Sequence, residues 1–88
     1  MQVRFKRSFI KDLEKCPVEI KQRAEKLIFV QVPSIQSLTE LTNIRKIKGY
    51  SNYFRIRMGQ YRIGFELRNE TLVFYRILHR KDIYKYFP

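Results

Sequence analysis

The 88-residue chain has one cysteine, one histidine, no tryptophan, three glycines and only eight Asp and Glu. A single cysteine cannot close an internal disulfide, so the chain is expected to work in a reducing, cytoplasmic setting. With no CxxC pair and no Cys/His set, no structural metal site is expected. No stretch approaches the roughly 20 apolar residues that span a bilayer. The N-terminus alternates charged and apolar residues from Val3 to Phe9, which is unlike a signal peptide. A chain this short is expected to form one domain over residues 1–88, with no room for a separate catalytic module. Paired carboxylates, a phosphate-binding glycine loop and a Ser/His/Asp set are all missing.

Cations and aromatics dominate what is there. Nineteen Lys and Arg give a net charge of +11, and seven Phe and six Tyr sit within a 44% apolar composition. Such a chain folds, but a domain of this size buries only about 60% of its unfolded surface, so the aromatics must supply much of the core. Most of the positive surplus falls in residues 43–88, where eleven Lys and Arg face three acids. A surplus of this size suits a polyanion such as DNA, RNA or the ribosome, or an acidic protein. A solvated basic surface that merely aids solubility is the plainer alternative.

Val3 and Phe5 alternate with polar residues and predict a short first strand. Ser8 is the expected N-cap of a helix whose apolar stripe is Phe9, Leu13 and Cys16. Pro17 ends that helix and opens a second, lined by Ile20, Ala24, Leu27 and Ile28. Residues 31–43 read as a loop with a turn of helix near its start. From Ile44 the period becomes two. Alternating runs at 53–58 and 61–67 flank Gly59-Gln60, a two-residue hairpin turn of type II′. Asn69-Glu70 marks a second reversal. Residues 71–78, apolar on both faces, predict an inner strand covered on both sides. The fold class is α/β (α+β), with an N-terminal helical hairpin packed on a small twisted antiparallel sheet.

The hairpin register has a chemical consequence. A two-residue turn sets Met58 against Tyr61, Arg57 against Arg62, Ile56 against Ile63 and Arg55 against Gly64, with opposed side chains on one face. Arg57 and Arg62 then stand side by side with Arg55 two positions along. Two opposed guanidiniums repel and call for an anion, such as a phosphate held through parallel hydrogen bonds. Glu66 is expected to compensate in part, and Gly64 to clear space for a flat ligand. Exposed strand positions filled with charge to discourage aggregation are the plainer reading. At the end of the inner strand, His79 is expected on the Arg57/Arg62 face, though a lone histidine there is more often structural. Arg76 is sent toward the core by this simple register, which requires either that the turn slips by one residue or that Arg76 sits at an edge. Cations with one or two aromatic or imidazole groups suit phosphodiester cleavage by a neighbouring 2′-hydroxyl, hence RNA.

The ordered stretches Ile47-Lys48-Gly49, Tyr53 to Ile63 and His79 to Tyr84 resemble the RelE/ParE superfamily of type II toxin–antitoxin toxins, over nearly the whole chain. The resemblance implies the α/β fold above. For the RelE-like branch it implies an endoribonuclease, metal-independent and cofactor-free, that cuts message in the ribosomal A site. Arg55 and Arg57 match positions where the family often has lysines. Arg62 matches a phosphate-stabilising arginine, Arg80 an arginine that aids the leaving group, and Tyr84 a tyrosine that stacks and moves protons. His79 matches a histidine seen in many branches. Arg45, Lys46, Lys48, Arg55, Lys81 and Lys85 are the implied RNA and ribosome contacts. Arginine is a poor general base, so proton abstraction falls to Tyr84, His79 or solvent. The implied partners are an acidic cognate antitoxin, the ribosome with its message, and operator DNA through the antitoxin; no membrane is implied. A ParE-like gyrase poison and a plain RNA-binding module are the alternatives, and the basic and aromatic residues at these positions favour the nuclease.

Overall fold

The structure is a computed structural model and describes residues 1–88. Strand β1 (Gln2–Phe5) leads into helices α1 (Arg7–Lys15) and α2 (Val18–Lys26). The second helix continues through one wide π turn, Leu27–Gln31, into a last turn, α3 (Val32–Ser34). A 3₁₀ turn at Leu38–Glu40 precedes strands β2 (Ile44–Lys46), β3 (Tyr53–Met58), β4 (Tyr61–Arg68) and β5 (Thr71–His79). A short helix α4 (Ile83–Tyr86) closes the chain.

The helical hairpin forms as expected, with Phe9, Leu13, Ala24, Leu27 and Ile28 all buried. One detail differs. Ser8 does not cap α1, whose N-cap is Lys6; its Oγ instead donates to the Tyr75 carbonyl at 2.8 Å. The turn of helix expected at the start of residues 31–43 is present as α3, continuous with the second helix. Its wide turn, with Val32 N–H bonded to the Leu27 carbonyl five residues back, is the distortion by which a helix accommodates a proline without breaking.

The sheet has five strands in the order β1-β5-β4-β3-β2. All neighbouring pairs are antiparallel except β1 with β5, which are parallel. Alternation in four residues carries no information on strand direction, so this pairing was invisible in sequence. The β3–β4 register is the expected one, from Met58 opposite Tyr61 to Tyr53 opposite Glu66. Gly59 takes φ +60°, a conformation that strains any residue with a Cβ, as a type II′ turn requires.

The helices cover one sheet face. There Phe9, Ile28, Ile63, Phe65, Leu72 and Phe74 lose all solvent contact, and each is stabilised by about 1.5–3 kcal/mol relative to exposure. Phe5, Phe9, Phe65 and Phe74 stack or tilt against one another with ring centroids 5.5–6.2 Å apart. On the other face α4 makes a smaller cluster: Ile83 is fully buried, and Phe87 packs on Tyr53 and Tyr75 at 5.8 and 5.7 Å. The inner strand β5 is thus covered on both sides.

A bulge interrupts β4–β5. Phe65 faces Phe74 and Gly64 faces Arg76, so Tyr75 is the extra residue. Such a bulge reverses the parity of everything beyond it. Ile77 therefore joins the core opposite Ile63, and Arg76 is turned off the core face. Beyond Phe5 the edge of β5 is no longer paired with β1, and α1 closes it. Asp12 accepts from Arg76 Nε at 2.7 Å, from Arg76 Nη2 at 3.1 Å and from the Ile77 N–H at 3.2 Å. The Asn69-Glu70 turn does not slip, since Arg68 still faces Thr71; the bulge changes the parity, and Arg76 lies on the edge stretch of β5 that β1 does not reach. The same reversal corrects the placement of His79. It faces Tyr61 rather than sharing the face of Arg57 and Arg62, with ring centroids 5.8 Å apart.

Candidate nucleic-acid and catalytic site

Three rows of side chains cross the face that carries α4. Tyr53, Glu66 and Val73 form one; Arg45, Arg55, Gly64 and Arg76 the next; Arg57, Arg62 and Leu78 the third. Positive charge therefore gathers toward the Gly59 hairpin, because period-two arginines on two strands meet in one register.

Arg57, Arg62 and Arg80 line an open depression of about 450 Å³, together with Arg23, Asn43, Gly59 and Gln60. No carboxylate lines it. Arg62 donates through Nη1 to the Gly59 and Tyr61 carbonyls at 2.9 and 3.0 Å, which orients its guanidinium on the hairpin. Arg57 reaches the Asn43 side-chain oxygen, and Arg55 the Asn43 carbonyl, both at 3.4 Å. The Arg80 N–H donates to the Gln60 carbonyl at 2.8 Å, fixing the chain beyond β5 against the same turn. A second depression, of about 310 Å³, is lined by Arg45, Lys46, Ile47, Lys48, Arg55 and Tyr84.

Three ion pairs exist in the chain, Arg68–Glu66, Arg76–Asp12 and Lys85–Asp82. None involves Arg55, Arg57, Arg62 or Arg80. Partial burial lowers the proton affinity of Arg62, as do the positive charges of Arg55, Arg57 and Arg80, while Tyr84 opposes them. That mutual effect marks the four arginines and Tyr84 as one electrostatic group. Arg55 Nε is buried without a partner in the chain, a donor that costs about 1–3 kcal/mol when left unsatisfied.

Glu66 does not compensate these arginines. Its carboxylate is buried and accepts from the Tyr75 hydroxyl and Arg68 Nη2, each at 2.7 Å, and from Asn52 Nδ2 at 3.2 Å. Burial alone would raise its pKa, but the hydrogen bonds from Tyr75 and Arg68 and the Arg68 charge together hold it below the usual carboxylate range. Gly64 does not open the face to a ligand either. A Cβ there would lie 2.5–2.6 Å from the Phe87 ring, so the space is filled from within the chain. Lys81 and Lys85 line neither depression, and Lys85 pairs with Asp82 at 3.5 Å. No group of three or more His, Cys, Asp or Glu side chains is arranged to hold a metal ion. No helix is long and apolar enough to cross a membrane.

A family described as the ParE toxin of the parDE type II toxin–antitoxin system matches residues 3–84. Toxin RelE3 of Methanocaldococcus jannaschii is 51% identical over 89 residues, covering the whole of both chains. The chain belongs to the RelE/ParE superfamily, on its RelE branch. It is also similar to a chain of the RelB–RelE antitoxin–toxin complex of Methanococcus jannaschii, with a TM-score of 0.82, 48% identity, and 97% and 99% of the two chains covered. The RelBE2 toxin–antitoxin complex of Mycobacterium tuberculosis contains a chain at 27% identity and a TM-score of 0.69, with coverage of 90% and 96%.

In this RelE-branch toxin, sequence reasoning missed Arg23 and Asn43. Arg23 reads only as an exposed helix position, yet its Nη1 comes within 3.7 Å of where a Gly59 Cβ would stand. Asn43 takes φ +60° just before β2, a conformation that asparagine tolerates better than most residues. That tolerance is the one signal that could have singled it out. Both also line a larger groove of about 510 Å³ between α2 and β3, with Leu27, Ile35, Leu41, Ile56 and Met58 at its apolar wall and Arg57 shared with the arginine depression.

Proposed function

We propose that this RelE-family toxin is a metal-independent endoribonuclease that cuts message in the ribosomal A site and so inhibits translation. The observation that carries this reading is the unpaired cluster of Arg55, Arg57, Arg62 and Arg80 beside Tyr84, on a protein whose other buried charges are matched. Attack of a ribose 2′-oxygen on its own phosphate forms an O–P bond, breaks the bond to the leaving 5′-oxygen, and builds negative charge on the phosphoryl oxygens between. Arg62 and Arg57 stabilise that charge as preorganised hydrogen-bond donors. Arg80 stabilises the departing oxygen. Tyr84 takes the 2′-hydroxyl proton or returns one to the leaving group, with its ring stacked on a base. His79, facing Tyr61 away from the cluster, has no direct part in proton transfer. Arg45, Lys46, Lys48 and Arg55 hold the RNA backbone, with Lys81 and Lys85 as outer ribosome contacts.

A cognate antitoxin is the protein partner. Several similar structures are antitoxin–toxin complexes, and an acidic segment over the basic face would neutralise the cluster. Operator binding by the complex, through the antitoxin, belongs to the same reading. The ParE description of the matched family favours gyrase poisoning as the second reading. Full-length 51% identity to a RelE toxin weighs against it.

The test is cleavage of message on translating ribosomes by purified protein, with 5′ ends mapped and naked RNA as control. Cuts at A-site codons support the nuclease. A folded protein that makes none, but inhibits DNA gyrase, overturns it.

A further inference from the structure

Helix α4 is one turn long and follows a charged turn, Arg80-Lys81-Asp82. A helix this short has no stability of its own, so its position depends on what it buries. Two side chains do this work. Ile83 is fully buried and Phe87, one turn on, is 2% exposed. The Phe87 ring lies on Gly64 so closely that three of its carbons come within 2.6 Å of where a Cβ would be. Tyr53 and Tyr75 wall it in, and its N–H closes the turn onto the Ile83 carbonyl at 2.9 Å. Tyr84 stands between these two anchors, 59% exposed and lining the depression with Arg45 and Arg55. Little else fixes its phenol, which makes no hydrogen bond to a side chain or carbonyl.

We propose that Phe87 and Gly64 are positioning residues, a ring and the notch that receives it, which hold Tyr84 against the arginine cluster. The absence of a side chain at position 64 is then a requirement of the site. Gly64 lies in the middle of β4, paired with Arg55 on one side and bordering the β4–β5 bulge on the other, and a glycine within a strand weakens it unless another group needs the space. Phe87 is that group. The proposal rests on the nuclease reading only for its catalytic readout.

Two measurements keep the two apart. A fluorotyrosine at position 84 reports the surroundings of the ring without any RNA. Its fluorine resonance is expected to move toward the free amino-acid value in Phe87→Ala and in Gly64→Ala, and to move back in the double variant Gly64→Ala/Phe87→Leu, whose smaller side chain makes room for the added methyl. In ribosome cleavage, Phe87→Ala is expected to lower kcat about tenfold with KM unchanged, and to cause no further loss in a Tyr84→Ala background, the signature of residues acting through one another. A resonance unmoved in either single variant, or equal kcat losses with and without Tyr84, overturns the proposal. If the resonance behaves as expected while wild-type protein cuts no message, the positioning stands and the nuclease reading falls. Gly64→Ala, whose anchors Ile83 and Phe87 are both retained, guards against reading simple unfolding of the tail as loss of position.

Discussion

Two ends of one sheet face carry charge in opposite ways. At one end of β4, Glu66 is buried and satisfied by Tyr75, Arg68 and Asn52. At the other, four residues back, Arg62 faces Arg57 with no carboxylate in reach of either. Strands and face are shared, but Glu66 is buried whereas Arg62 is half-buried and Arg57 exposed. The Glu66 end spends its charge inside the chain, where a buried ion must be paired to be tolerated. The arginine end leaves like charges directly opposite, an arrangement that costs stability. A chain with 19 cations and eight anions cannot match every cation, but where it places its few buried carboxylates is informative. Asp12 and Glu66 serve Arg76 and Arg68, and the hairpin receives none.

The comparison breaks most visibly at Arg62. Replacing Arg62 with Ala is expected to lower message cleavage by about 10²–10³-fold, the usual cost of removing a preorganised donor from a developing oxyanion. Thermal stability should stay within about 0.5 kcal/mol, because lost bonds to the Gly59 and Tyr61 carbonyls are offset by relief of the Arg57 contact. Parallel melting curves and single-turnover cleavage decide this. A variant that cleaves normally removes Arg62 from the chemistry.

Glu66 should do the reverse. Glu66→Gln keeps the shape but loses the charge that Arg68 and Tyr75 meet, and is expected to cost about 1.5–2 kcal/mol of stability. The pH dependence has a definite sign. A carboxylate whose folded pKa lies below its unfolded value, ~4.3 for Glu, adds stability at pH values above ~4.3, and that stability is lost as pH falls toward the folded pKa. Urea midpoints for wild-type protein should therefore fall across this acid range, and those for Glu66→Gln should fall less. Parallel curves would mean that Glu66 is not held low by its partners.

Much of this contrast was legible before the fold. A single glycine turn at 59–60 ties β3 to β4, and period two then places Arg57 against Arg62 without tertiary information. Phe9, Leu13, Ala24 and Ile28 announce their burial by helical spacing. What could not be read depends on residues distant in sequence or on a lost parity signal. Residues 71–78 are apolar on both faces, so nothing in them marks Tyr75 as a bulge, and the error carries forward to His79. Gly64 invited a ligand because the ring that fills it arrives 23 residues later. Arg23 and Asn43 join the site from a helix and a loop with no shared pattern.

His79 sharpens the comparison with the smallest expected effect. Beyond the bulge it faces Tyr61, and its Nδ1 accepts from the Lys81 N–H at 3.2 Å, which commits that nitrogen to the turn. Arg80 does not need the imidazole to stay in place, since its N–H is bonded to the Gln60 carbonyl, and Asp82 N–H bonds the His79 backbone rather than its ring. Loss of the ring thus removes one local contact and leaves the arginine cluster and Tyr84 standing. His79→Ala is expected to lower kcat by about threefold or less, against a loss of about 10²-fold for Tyr84→Phe if the phenol moves the proton. The order of the two losses is the decisive reading. Were His79→Ala the more damaging, the imidazole would have to reach the scissile phosphate past Tyr61. The division of labour between the two faces would then fail at the one residue where β5 changes its parity.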